Sequence, residues 1–160
     1  PLGPGACGSI LDFLACLNSH EVLSSMRNFL SILMLACTAA ETGLSERAEG
    51  LIGGLSRNSS GIALPLMRKQ LLQIIAEIRY AGKPADLRGA MRIIRLLIRS
   101  HPVFVDVYAK SILQSIWFTF ASNDQEVLII LFDIIGEVAK RQSAELTDTL
   151  RSAIDHSMEC

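Results

Sequence analysis

The fold class predicted for this chain is all-α, with seven or eight helices joined by short loops. Three observations predict it. Apolar residues recur at a three-four spacing in nearly every segment, the period of an amphipathic helix. No segment alternates apolar and polar residues for long, as a half-buried strand does. The breaks between apolar segments are rich in Gly, Pro, Ser, Asn and Asp, which stop or cap helices. Half of the 160 residues are apolar and 19% are charged, with a mean hydropathy of +0.37. That is enough apolar side chain for one well-buried core in a chain of this length.

Taken in order, residues 1–8 hold three glycines and two prolines and are expected to be a disordered leader, with Pro1 to Pro4 read as a tag remnant. A single domain then spans residues 9–158, expected to be a fragment of a larger protein. Its first helix runs from Ser9 to Leu17. Ser19 caps a long second one, His20 to Glu41, with Val22, Leu23, Met26, Phe29, Leu30, Leu33, Met34 and Cys37 on its apolar face, and Gly43 stops it. Ser45 to Leu55 reads as a third helix, weakened by Gly50, Gly53 and Gly54 unless these admit a close neighbour. After the polar loop Arg57 to Gly61, Pro65 stands in the first turn of a fourth helix that ends near Tyr80. Gly82 and Pro84 break the chain, Asp86 caps the fifth helix, and His101-Pro102 closes it. A sixth takes Val103 to Phe120. Asn123 or Ser122 caps a seventh from Asp124 to Lys140, expected to be a core helix, and an eighth runs from Ser143 to Met158.

The fifth helix organises the rest. At about 100° per residue, Arg88, Arg92, Arg95 and Arg99 fall in an arc of roughly 60°. Ala90, Met91, Ile93, Ile94, Leu96, Leu97 and Ile98 fill the remaining circumference. A surface helix has the opposite proportions. This helix is expected to be walled in on most sides and to show a narrow basic strip.

One internal echo bears on architecture. Asn18-Ser19-His20-Glu21-Val22-Leu23 parallels Asn123-Asp124-Gln125-Glu126-Val127-Leu128. Continuing the alignment sets Met26 on Leu131, Phe29 on Ile134, Leu30 on Ile135 and Leu33 on Val138. Helices that cannot bury their faces alone, and stack to share a core, are the mark of a helical solenoid. On these residues, and on Ile129 to Ala139 with Gly136 inside the helix, the chain resembles the armadillo and HEAT repeat families over about half its length. The resemblance implies a right-handed superhelix of stacked helix pairs that acts as a binding scaffold. An irregular eight-helix superhelix, similar to VHS-like modules, is the other arrangement the residues allow.

Charge and motifs narrow the function classes. A formal net charge of −1 gives no bulk attraction to nucleic acid or membrane, so electrostatic recognition must be local. No apolar run reaches the roughly 18 residues that cross a bilayer. Cys7, Cys16, Cys37 and Cys160 lack ligand spacing and read as reduced intracellular thiols, with Cys16 and Cys37 in the core. His20, His101 and His156 sit at helix edges as capping or surface residues. No GxSxG, HExxH, Walker or Rossmann pattern is present, so no catalytic residue, metal ligand or cofactor is assigned. The arginine strip is the one polar feature with geometry. It is expected to line an exposed groove and bind an acidic segment of a partner protein, because the guanidinium fork bonds carboxylate bidentately; the other reading is a solvated face partnered by Asp or Glu of a neighbouring helix. Arg68 and Lys69 on the preceding helix would enlarge it. The expected function is a non-enzymatic, intracellular protein-protein interaction module with no membrane partner. The alternative is a nucleic-acid-binding helical domain that uses the strip on phosphates. Among apolar residues, those of the seventh helix near Trp117, Phe118 and Phe120 are the second candidate surface.

Overall fold

A computed structural model describes residues 3–37, 42–59, 61–81, 84–141, 151 and 154–155. Eight α-helices and no strand lie among the described residues: α1 (Pro4–Ala15), α2 (Ser19–Ser24), α3 (Met26–Ala36), α4 (Thr42–Asn58), α5 (Ala63–Ala81), α6 (Pro84–Ser100), α7 (Pro102–Ile116) and α8 (Gln125–Arg141). A 3₁₀ turn, Trp117–Ala121, links α7 to α8.

The helices alternate between two layers. Setting aside the short α2, each packs on the next but one: α1 on α4, α4 on α6, α6 on α8 in one layer, and α3 on α5, α5 on α7 in the other. Contacts between the layers, among them α1 with α3, α3 with α6, α5 with α6 and α7 with α8, bury a shared core. Helix α6 touches α3, α4, α5, α7 and α8. It is the middle of the stack, as its nearly complete apolar circumference predicts: Leu87, Ala90, Met91, Ile93, Ile94, Leu96, Leu97 and Ile98 are all buried.

Several boundaries differ from the sequence reading. The first helix starts at Pro4, where proline's fixed φ suits a first turn, so most of the expected leader is helical. The long second helix is two, because Ser25 leaves helical geometry at φ −124° and ψ 34°. Its cap is Asn18, not Ser19: Asn18 Oδ1 accepts from the Glu21 amide at 2.9 Å, and Glu21 Oε2 accepts from the Asn18 amide at 2.9 Å. Gly43 lies inside α4 and stops nothing. Asp86 is in the first turn of α6, which begins at Pro84. Asp124 caps α8, accepting from the Glu126 and Val127 amides at 3.0 and 3.4 Å, while Ser122 Oγ accepts from the Asp124 amide at 3.1 Å. Cys16 is exposed, whereas Cys7 and Cys37 are buried. The expected eighth helix, Ser143 to Met158, lies almost wholly outside the described residues, as do His156 and Cys160.

The echo holds as burial, not as position. Val22 and Val127, Met26 and Leu131, Phe29 and Ile134, and Leu33 and Val138 are buried in both copies, while Leu30 is buried and Ile135 only partly so. Yet α3 and α8 stand in opposite layers. Similar apolar spacing follows from similar walls on one side of each helix, whichever layer it occupies. Close approach also falls elsewhere than the glycines of α4. A Cβ on Gly50 or Gly54 would meet nothing within 4 Å, but one on Gly89 would lie 2.5 Å from the Met34 carbonyl oxygen, where α3 crosses α6.

Candidate functional site

The arginine strip of α6 is opposed, along most of its length, by carboxylates of α8. Helix α6 fixes the strip because its other residues are held in the core, so the arginines have one direction left. Helix α8 offers Glu126, Asp133 and Glu137 along one flank, at steps of seven and four residues, and Asp124 at its cap. Arg88 Nε meets Asp124 Oδ2 at 2.6 Å and Arg88 Nη1 meets Glu126 Oε2 at 3.6 Å. Arg92 pairs with Glu126 through Nη2 and donates through Nη1 to the backbone carbonyl of Cys37. Arg95 and Arg99 share Asp133 Oδ2, each at 3.2 Å. The pairs ascend both helices together, so α6 and α8 run parallel, as next-but-one members of an alternating stack must.

The strip therefore does not line an open groove. Arg92 is only 4% exposed. The physical reason is that α8 brings its own acids to the same period as the arginines. A buried guanidinium without a carboxylate is far costlier than one with it. Burial lowers the Arg92 pKa below its ordinary value, partly opposed by Cys37 and Asp124. Arg88 and Arg99, at the two ends, keep 43% and 48% of their side chains exposed. Arg68 and Lys69 do not join the strip. Arg68 Nε donates to Ser111 Oγ at 3.3 Å and its guanidinium covers the Tyr108 ring at 4.7 Å, which places it between α5 and α7, and Lys69 is exposed on α5.

The pairing with Asp or Glu of a neighbouring helix, the other reading of the strip, is the one found; which helix supplies the acids was not named, and a signal for it existed. Arg88, Arg92, Arg95 and Arg99 step by four, three and four residues, and Glu126, Asp133 and Glu137 match positions one, three and four of that series. Lys140 hydrogen-bonds Glu137 and lowers its pKa, with Arg99 and Arg141 adding to the effect. Other polar groups offer little chemistry. Burial pushes the Cys37 thiol up to about 11, against a nucleophile's need for a low value. His101 stands at the N-cap of α7 without capping it, and burial lowers its pKa. Among the described residues, no group of three His, Cys, Asp or Glu is placed to hold a metal ion.

The seventh predicted helix, α8, is an outer helix more than a central one. Val127, Ile130, Leu131, Ile134 and Val138 are buried. Leu128 and Ile135 of this expected core helix are only partly buried. Ile129 and Phe132 point outward, 63% and 60% exposed.

No protein-family model matches this chain. It is similar to serine/threonine-protein kinase tor1 of Schizosaccharomyces pombe, 21% identical over 121 residues. The aligned part is 76% of this chain and 5% of tor1. The similarity is thus to a small piece of a far longer protein and carries no activity across with it. No solved structure matches the chain.

Proposed function

We propose that this chain is a non-enzymatic scaffold module, a HEAT-type right-handed stack of helix pairs that holds a partner protein or subunit. The observation that carries the reading is the alternation of helices between two layers around α6. Such stacks present long surfaces for other chains in place of a closed catalytic pocket. The similarity to a piece of a much longer protein agrees with a module that works as part of an array. Placement inside the cell without a membrane partner belongs to the same reading; no helix among the described residues is long and apolar enough to cross a membrane.

An acidic partner segment would meet the exposed ends of the ladder, Arg88 and Arg99, and not the buried Arg92. Lys69 is a separate exposed cation on α5. The nucleic-acid alternative loses support here, because each arginine of the strip already faces a carboxylate. The test is affinity capture from nuclear and cytosolic extracts, identification by mass spectrometry, and titration of the recovered partner. A charged hydrogen bond contributes about 1.5–3 kcal/mol. Arg88→Gln with Arg99→Gln is therefore expected to weaken that partner about tenfold or more. Glutamine is chosen because glutamate would repel Asp124 and Asp133. A folded double variant that binds every recovered partner as before excludes the acidic-contact reading. Recovery of nucleic acid alone, with affinity falling log-linearly with salt, excludes the scaffold reading.

A further inference from the structure

We propose that a second copy of this chain docks on the outer face of α8, the two α8 helices packing antiparallel across a two-fold axis. The inference stands apart from the partner reading above.

On the side of α8 away from the core, Gln125, Ile129, Phe132, Gly136 and Ala139 form one stripe with no charge, within an arc of about 80° at helical spacing. A water-facing stripe is ordinarily polar. Here Ile129 and Phe132 are 63% and 60% exposed, and Phe120 meets the Phe132 ring edge-on at 6.2 Å, holding it outward. An exposed apolar patch of this kind marks an interface.

The order of sizes along the stripe selects the occupant. Large residues, Ile129 and Phe132, stand toward the start of α8, and small ones, Gly136 and Ala139, toward its end. The two pairs are spaced symmetrically about Ile134. An antiparallel second copy centred there sets each Phe132 over the partner's Gly136 and each Ile129 over the partner's Ala139. A two-fold interface must be self-complementary, with residue i on j and j on i, and this stripe meets that condition. The site opposite Phe132 is open, since a Cβ on Gly136 would meet nothing within 4 Å. The helix dipoles agree: antiparallel pairing sets the N-terminal end of each α8 beside the C-terminal end of the other.

The test is sedimentation velocity on the chain from about 1 µM to about 1 mM, a range covering weak to moderate dimers. The wild type is expected to pass from monomer to dimer with concentration. Phe132→Glu is expected to remain monomeric. Gly136→Leu is expected to do the same with its fold intact, because a Cβ there meets nothing within 4 Å, so it decides the matter if Phe132→Glu does not fold. Phe132→Ala with Gly136→Phe exchanges large for small and is expected to dimerise again. A wild type that stays monomeric throughout overturns the proposal and leaves the face to a helix of another sequence. A dimer that Gly136→Leu leaves unchanged also overturns it, and points to another patch such as the exposed Phe13.

Discussion

At Cys37 a helix end, a thiol and a guanidinium meet. Its carbonyl accepts from Arg92, and its side chain is buried at the end of α3. Burial pushes the thiol from its ordinary 9.0 up to about 11, Arg92 pulls it back, and Cys7 adds to the rise. The folded chain therefore holds this proton more tightly than the unfolded one. The corresponding stability is fully present below pH 9.0 and is lost as pH rises through about 11. Two units correspond to about 3 kcal/mol. Urea unfolding from pH 8 to above pH 11 is expected to show the wild type losing about that much relative to Cys37→Ala. Parallel curves for the two proteins would show that the thiol does not titrate differently on folding. At this scale the sequence was partly legible. Four arginines on one face were plain, but their partners lie 34 to 38 residues away, and one sequence does not state which helices become neighbours.

Among elements, helix existence was more legible than helix ends. The three-four spacing marks a helix wherever one wall is apolar, which is why α5, α6 and α7 begin or end near the expected residues. Ends are set by local geometry that composition underdetermines: the break at Ser25, the cap at Asn18, and the start at Pro4. Glycine shows the same limit. In α4, Gly50 and Gly54 face open space and Gly53 faces only the Arg57 side chain of its own helix, while Gly89 touches the backbone of α3. Alanine in place of a helix-interior glycine gains up to about 1 kcal/mol in propensity. At Gly136 nothing opposes that gain, so Gly136→Ala is expected to stabilise. At Gly89 the added methyl must push against the Met34 carbonyl, and overpacking costs about 1–3 kcal/mol. Gly89→Ala is therefore expected to destabilise despite better propensity. Thermal or urea unfolding of the pair checks this, and a stabilised Gly89→Ala would mean that α3 and α6 do not cross so closely.

For the whole molecule, the all-α class and the central place of α6 were legible because hydrophobic period and circumference report burial directly. The order of layers was not, because the echo between α3 and α8 reports like burial in opposite layers. Among the described residues, α8 is joined to α6 by the arginine ladder as well as by its buried apolar side chains. The direct measurement is a double-mutant cycle on Arg92 and Glu126, by urea unfolding. Arg92→Ala leaves the Cys37 carbonyl without this donor and Glu126 with only its 3.6 Å contact to Arg88. Breaking a buried ion pair from one side costs about 3–5 kcal/mol. The ladder predicts a coupling energy within the range of about 0.5–3 kcal/mol seen for contacting pairs, so that Arg92→Ala costs much less once Glu126 is already Ala. Additivity of the two substitutions within about 0.3 kcal/mol, as for distant sites, would contradict it.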